Sequence, residues 1–69
     1  MLSGNMLKVL QLVSEKTMNL NDLRKATRLP ERMLKGIVDA LSEKGYVESG
    51  EGGVSITDKG KEALKKTQL

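Results

Sequence analysis

Apolar residues in the first part of the chain recur at the three- and four-residue spacing of a helix. The first such stripe consists of Met6, Val9, Leu10 and Val13. This stripe predicts a first helix over about residues 5–16. Thr17 and Met18 follow it and are too few to form more than a single β-bridge or a very short strand.

Residues that favour helix ends mark a short second helix. Asn19 is a favoured N-cap, and Asp22 lies three residues later, where a carboxylate meets the exposed amides of the first turn. These residues predict a helix over about 20–27 that ends near Thr27 or Arg28. Its predicted inward residues are Leu20, Leu23 and Ala26.

A third helix is predicted over about residues 30–44, because proline is favoured at the first position of a helix and Pro30 stands there. Gly45 can adopt the positive φ that ends a helix, and Tyr46 can then fold back onto the last turn. Gly36 lies inside this helix and costs about 0.5–1 kcal/mol relative to alanine. It either admits a close neighbour or is a tolerated surface glycine. The predicted inward residues are Met33, Leu34, Ile37, Val38 and Leu41.

Two short alternating runs around the glycine-rich residues 50–53 predict a β-hairpin over about 46–56. Thr57 is a good N-cap for a last helix over about 58–66, whose inward residues would be Ala63 and Leu64. All connections are short. The chain is therefore predicted to form one domain over residues 1–69, mainly α-helical with a small β-hairpin.

Composition excludes several classes of function. The chain has no cysteine and no histidine, so disulfides and thiolate or imidazole metal sites are excluded. It also lacks a phosphate-binding loop motif and a carboxylate pair suited to acid–base work, and we expect neither an enzyme nor a bound cofactor or metal. One tyrosine is the only aromatic residue, which disfavours binding of single strands or RNA by base stacking. No apolar run is long enough for a membrane span and no signal-peptide pattern is present, so we expect a cytoplasmic protein.

Positive charge is concentrated in one stretch, which we call the cationic segment, residues 24–35. The whole chain carries a net charge of +3. The cationic segment alone carries +4, whereas residues 36–56 carry −3. Its cations are Arg24, Lys25, Arg28, Arg32 and Lys35, and its one acidic residue is Glu31. Such a segment permits a polyanionic partner.

The order of the elements and several short motifs resemble a known superfamily. The connection of three or four residues between the second and third helices is that of a helix-turn-helix. Residues 41–47 (LSEKGYV) are similar to the end of the recognition helix in winged helix-turn-helix regulators. Residues 56–62 (ITDKGKE) resemble the step from the wing into the final helix of MarR-like and PadR-like proteins, and residues 19–23 (NLNDL) resemble the start of their second helix. The resemblance implies a three-helix core, a wing and a C-terminal helix.

The resemblance also implies duplex DNA binding and a role in transcription regulation, which would associate the protein with the nucleoid. The third helix would enter the major groove, and the face opposite its apolar stripe presents Glu31, Arg32, Lys35, Gly36 and Asp39. On this face, Arg32 and Lys35 are the candidates for contacts to base edges. Either could instead contact phosphate or only solvate the surface. Glu31 could accept a hydrogen bond from a cytosine amine or simply stabilise the N-terminus of the helix. The candidate phosphate contacts are Arg24, Lys25, Arg28, Lys59 and Lys61.

The predicted wing carries acidic residues, Glu48 and Glu51, which phosphates would repel. The wing therefore either stays off the DNA or meets a protein, and the alternative function is a winged-helix protein-interaction module within a larger complex. The chain could also be one domain of a longer protein. Leu7 and Leu12 in the first helix, or the C-terminal helix with Leu69, could form a homodimer surface, with packing inside the chain as the equal alternative.

Overall fold

Four helices and one two-stranded hairpin follow one another in the computed structural model, which describes residues 4–67. The elements are α1 (Gly4–Glu15), α2 (Leu20–Thr27), α3 (Glu31–Glu43), β1 (Val47–Gly50), β2 (Gly53–Ile56) and α4 (Asp58–Thr67). The predicted class, mainly helical with a small antiparallel hairpin, is confirmed. The helix α2 has the predicted bounds, and every other helix boundary lies within one residue of the predicted one.

The helix α1 lies at the centre of the fold, in contact with α2, α3, β2 and α4. Every described element contributes at least one buried apolar side chain to a single core. The core residues are Val9, Leu10, Val13, Met18, Leu23, Leu34, Val38, Leu41, Val47, Val54 and Leu64. Leu7 and Leu12, which fall outside the main stripe of α1, are partly buried and pack against this core.

Two predicted inward residues are exposed. Ala26 is exposed and Thr27 is buried in its place, because at about 100° per residue Thr27 falls between Leu20 and Leu23 around α2. Met33 is 47% exposed. It is displaced by about 100° from the neighbouring core residue Leu34 and therefore lies at the edge of the stripe of α3.

Local hydrogen bonds end the helices where the end signals predict. The Asn19 side chain accepts a hydrogen bond of 2.7 Å from the Asp22 N–H, which confirms the predicted N-cap of α2. At the end of α3, Gly45 has a φ of +79°. The Tyr46 N–H donates to the Leu41 carbonyl and the Gly45 N–H to the Ser42 carbonyl, both at 2.9 Å. This pair of bonds is a Schellman motif, and it confirms that Gly45 ends the helix.

The hairpin is tied to the segment between α1 and α2. Its register pairs Val47 with Ile56, Glu48 with Ser55, Ser49 with Val54, and Gly50 with Gly53. Met18 forms an isolated antiparallel bridge with Val54, with N–H···O distances of 3.1 and 2.7 Å, as one of the two alternatives for Thr17 and Met18 predicts. Gly53 has a φ of +117°, and a Cβ there would lie 2.6 Å from the Met18 carbonyl oxygen. Glycine at position 53 therefore allows the bridge to form.

Thr57 joins the end of α3 to the start of α4. Its N–H donates to the Tyr46 carbonyl at 3.0 Å, and its hydroxyl donates to the Gly45 carbonyl at 2.6 Å. The same hydroxyl accepts from the Gly60 N–H at 3.0 Å, as the predicted N-cap requires. A Cβ at Gly60 would overlap the Tyr46 carbonyl oxygen, so α4 approaches the segment after α3 at a glycine.

Among the described residues, no helix combines the length and the apolar character that crossing a membrane would take. The longest helix in this part of the chain, α3, has 13 residues.

Candidate nucleic-acid interface

The turn between α2 and α3 consists of Arg28, Leu29 and Pro30, and hydrogen bonds hold both of its ends. The Arg28 N–H donates to the Arg24 carbonyl at 2.8 Å. The buried Thr27 hydroxyl donates to the Leu23 carbonyl at 2.7 Å and accepts from the Leu29 N–H at 3.2 Å. The turn is therefore held in one conformation by a threonine that sequence analysis did not single out.

Arg28 adopts the left-handed conformation, with a φ of +61° and a ψ of 20°. It is the only non-glycine residue with positive φ among the described residues. A side chain in this region of conformational space costs about 1–2 kcal/mol, which glycine avoids. An arginine therefore stands at a turn position that glycine would occupy with less strain.

Pro30 precedes α3 rather than opening it, which corrects the predicted start by one residue. Its φ of −59° and ψ of 147° lie outside the helical region, and it accepts the first helical hydrogen bond, from the Leu34 N–H at 3.0 Å. Proline offers no side-chain acceptor, and α3 has no side-chain cap. The first amides of α3 are therefore open to water or to an anion.

The three candidates for base contacts all lie on the first half of α3 and are exposed. Glu31 is the first residue of the helix, where a carboxylate also interacts favourably with the positive end of the helix dipole. Arg32 lies on the side of the helix opposite Leu34, as the helical repeat of 3.6 residues requires. Lys35 lies nearer the hairpin. At about 100° per residue, Lys35 falls between Glu31 and Arg32 around α3, so the three residues lie on one exposed face of the helix.

Lys35 lines an open cleft of about 350 Å³ between α3, the start of α2 and the hairpin. The floor of this cleft is apolar, with Leu20, Val38 and Val54, and its rim includes Asp39 and Glu51. Lys35 therefore faces Glu51 across the cleft and lies about one turn from Asp39 on α3, although it forms no ion pair with any described residue.

The phosphate candidates of the cationic segment are Arg24, Lys25 and Arg28, and all three are exposed. The Arg24 guanidinium donates a hydrogen bond of 3.1 Å to the Asn21 side-chain carbonyl. Arg24 and Lys25 lie in the last turn of α2, where a cation interacts favourably with the negative end of the helix dipole. Their charges can attract a polyanion, and they also stabilise α2.

One of the two phosphate candidates of α4, Lys59, lies apart from the cationic segment. The Lys59 side chain lies over Gly45, since a Cβ on that glycine would lie 3.6 Å from the Lys59 Cδ atom. Gly45 follows the C-terminal end of α3, about 20 Å along the helix axis from Arg32. Lys61 is exposed on α4. The structure therefore does not bring Lys59 together with the candidates for base contacts.

The second half of α3 and the hairpin form an acidic region next to the cationic segment. Its exposed carboxylates are Asp39, Glu43, Glu48 and Glu51. Sequence analysis identified the acidic hairpin and placed Asp39 on the outward face of the third helix, but it did not place Glu43 there. Asp39 and Glu43 follow Arg32 at intervals of seven and eleven residues and so lie on its side of α3. The same helical spacing is the signal that could have found Glu43.

A scan of the sequence against protein-family models finds no matching family, and a search of curated proteins finds no match. The resemblance to winged helix-turn-helix regulators therefore stays a prediction.

Proposed function

We propose that the protein binds duplex DNA through the cationic segment, as a small winged helix-turn-helix regulator of transcription. One observation carries this proposal. All five cations of residues 24–35 are exposed, and none forms an ion pair with another described residue. Surface cations that pair with carboxylates are partly neutralised, whereas these five keep their full charge for an external polyanion.

The arrangement of the elements supports the winged helix. The helices α1, α2 and α3 pack on one another, and the hairpin follows α3 directly. The Met18–Val54 bridge adds a third backbone segment to the edge of the hairpin. In a helix-turn-helix the second helix of the motif enters the major groove, and here that helix is α3.

The cations take two roles in this proposal. Arg24, Lys25 and Arg28 contact phosphates and position the domain without specifying sequence. Arg32 and Lys35 lie on the first half of α3, the part of a recognition helix that reaches base edges, where they match the acceptors of guanine. The strain at Arg28 supports the first role, since a charged residue is kept where glycine would fold more easily.

A protein partner is the second candidate, favoured by the acidic hairpin. Glu48 and Glu51 are exposed and would repel phosphates, so a basic protein surface suits this region better than DNA. The predicted homodimer stays a prediction, and Leu69 lies outside the described residues. Leu7 and Leu12 already pack on their own core, and Met33 is the one large apolar side chain that is well exposed among the described residues.

Titration of a mixed-sequence duplex of about 30 base pairs at several salt concentrations tests the DNA proposal. The unmodified protein is expected to bind in the submicromolar range at about 50 mM salt, with an affinity that falls steeply as salt rises. The double variant Arg32→Ala and Lys35→Ala is expected to bind about tenfold or more weakly. Micromolar or weaker binding at low salt, with the same affinity in the unmodified protein and the double variant, would contradict the proposal and favour the protein partner.

Two substitutions at Arg28 separate its charge from its backbone conformation. Arg28→Gly and Arg28→Ala remove the same charge, but only glycine relieves the positive φ. We expect Arg28→Gly to be about 1 kcal/mol more stable than Arg28→Ala, a difference of about 4–8 °C in Tm. Both variants should lose DNA affinity equally and lower the slope of affinity against salt by about 1.

Thermal unfolding by circular dichroism and the same DNA titration give the two readouts. Equal Tm values for the two Arg28 variants would argue against the strained turn. Wild-type DNA affinity in both variants would argue against Arg28 as a phosphate contact.

A further inference from the structure

Gly36 lies in the middle of α3, and the fold gives no reason for a glycine there. It is exposed, and a Cβ built on it would meet nothing within 4 Å. Its φ is not positive. An alanine in the same place would stabilise the helix, because glycine loses more backbone entropy on folding. The fold therefore carries an avoidable destabilisation at this position.

Gly36 also lies at the centre of the outward side of α3. Arg32 precedes it by four residues and Asp39 follows it by three, so the three residues are neighbours on the helix surface. Leu34, Val38 and Leu41 occupy the opposite, buried side. The missing side chain thus leaves a gap between an exposed cation and an exposed carboxylate.

We infer that Gly36 is the point at which the backbone of α3 comes closest to the base-pair edges in the major groove, an inference that rests on the proposed function. An α-helix with its side chains is about 10–12 Å wide, and the major groove is about 12 Å wide. The fit is tight, so a gap at the centre of the outward side lets the helix lie deeper in the groove. Arg32 then reaches the acceptors of guanine on one side of the gap, and Asp39 reaches the amine of cytosine on the other.

This role explains why glycine stands at position 36, which the fold alone does not explain. A side chain at position 36 would hold α3 away from the groove, and Arg32 and Asp39 would lose their reach together. Asp39 also gains a partner, since a carboxylate among phosphates is unfavourable unless a cytosine amine donates to it. The second half of α3 therefore contributes to the recognition of DNA sequence, although its negative charge opposes binding.

Substitution by residues of increasing size tests the inference. Gly36→Ala is expected to raise Tm by about 2–6 °C and yet to weaken binding to the same duplex about tenfold. Gly36→Leu, which adds a larger side chain at the same open position, is expected to weaken binding further. The matched control is Gly4→Ala, since a Cβ on that exposed glycine of α1 also meets nothing within 4 Å. The control should keep the affinity of the unmodified protein.

The outcomes separate this inference from the proposed function. Unchanged affinity in both Gly36 variants, beside an unmodified protein that binds DNA, overturns the role of Gly36 and leaves DNA binding standing. No binding by the unmodified protein overturns both. A lower Tm for Gly36→Ala overturns the inference as well, because the fold would then require the glycine.

Discussion

Replacing Gly60 with alanine is expected to lower Tm by about 12 °C or more. The added Cβ would overlap the Tyr46 carbonyl oxygen and lie 2.8 Å from the Ile56 Cγ1 atom. Neither neighbour is the far end of a flexible side chain that could move aside, so the backbone of α4 or of Tyr46 must shift.

That shift would break a connected set of hydrogen bonds. The Tyr46 carbonyl accepts from the Thr57 N–H, and the Thr57 hydroxyl links the Gly45 carbonyl to the Gly60 N–H. Overpacking costs about 1–3 kcal/mol, and a lost hydrogen bond about 1 kcal/mol more. A loss of about 3 kcal/mol is large for a domain of this size, whose core rarely supplies more than about 3–5 kcal/mol.

Thermal and urea unfolding measure the effect. Gly36→Ala is the matched control, because both glycines lie inside helices but only Gly60 has backbone atoms where its Cβ would stand. The two substitutions should therefore shift Tm in opposite directions. A Tm for Gly60→Ala within about 3 °C of the unmodified value would contradict the close packing of α4 on Tyr46.

The helix boundaries could be predicted because local contacts determine them. The Asn19 cap bonds to an amide three residues away, and the motif at Gly45 closes within five residues of Leu41. The apolar stripes of α1 and α3 likewise follow from the helical period. None of these features needs knowledge of a distant part of the chain.

The features that escaped prediction depend on contacts between elements or on single dihedral angles. Thr27 is buried because α3 packs over its side of α2, and apolar character alone favoured Ala26. The positive φ of Arg28 has no residue signal, since arginine is not typical of that conformation. Lys59 covers Gly45 only because the Thr57 bonds bring α4 to the end of α3.

The candidate site was predicted as a set of residues rather than as an arrangement. Its charges are visible in the sequence, and their helical phases place Arg32 and Lys35 on exposed turns. The cleft beside Lys35 needs the hairpin in position, which the Met18–Val54 bridge provides. The surroundings of Lys35 therefore came only with the fold.

Removing four cations from the turn between α2 and α3 should weaken DNA binding at least about a hundredfold more than removing four cations from α4. One variant replaces four cations around the turn between α2 and α3 with glutamine, namely Arg24, Lys25, Arg28 and Arg32. The other replaces the four lysines of α4, namely Lys59, Lys61, Lys65 and Lys66. All eight residues are exposed, and each variant lowers the net charge from +3 to −1.

The two variants are matched in their effect on stability. Each removes two cations from the last turn of a helix, from α2 in the turn variant and from α4 in the other. The lost dipole interactions, about 0.3–1 kcal/mol each, are therefore similar. Tm values measured for both variants check this match, and a difference in DNA affinity then reports where the DNA lies.

Counterion release gives the expected sizes. Each phosphate contact contributes about 0.9 to the slope of log affinity against log salt, so the loss of the three phosphate contacts of Arg24, Lys25 and Arg28 lowers the slope by about 3. Together with the lost base contact of Arg32, the affinity at about 0.1 M salt falls about a thousandfold. The α4 variant should lose less than about tenfold, because only long-range attraction is removed. An equal loss in both variants would mean that net charge alone governs binding. A larger loss in the α4 variant would place the interface at α4, away from Arg28 and Gly36, and the strain at Arg28 and the glycine at position 36 would each need another cause.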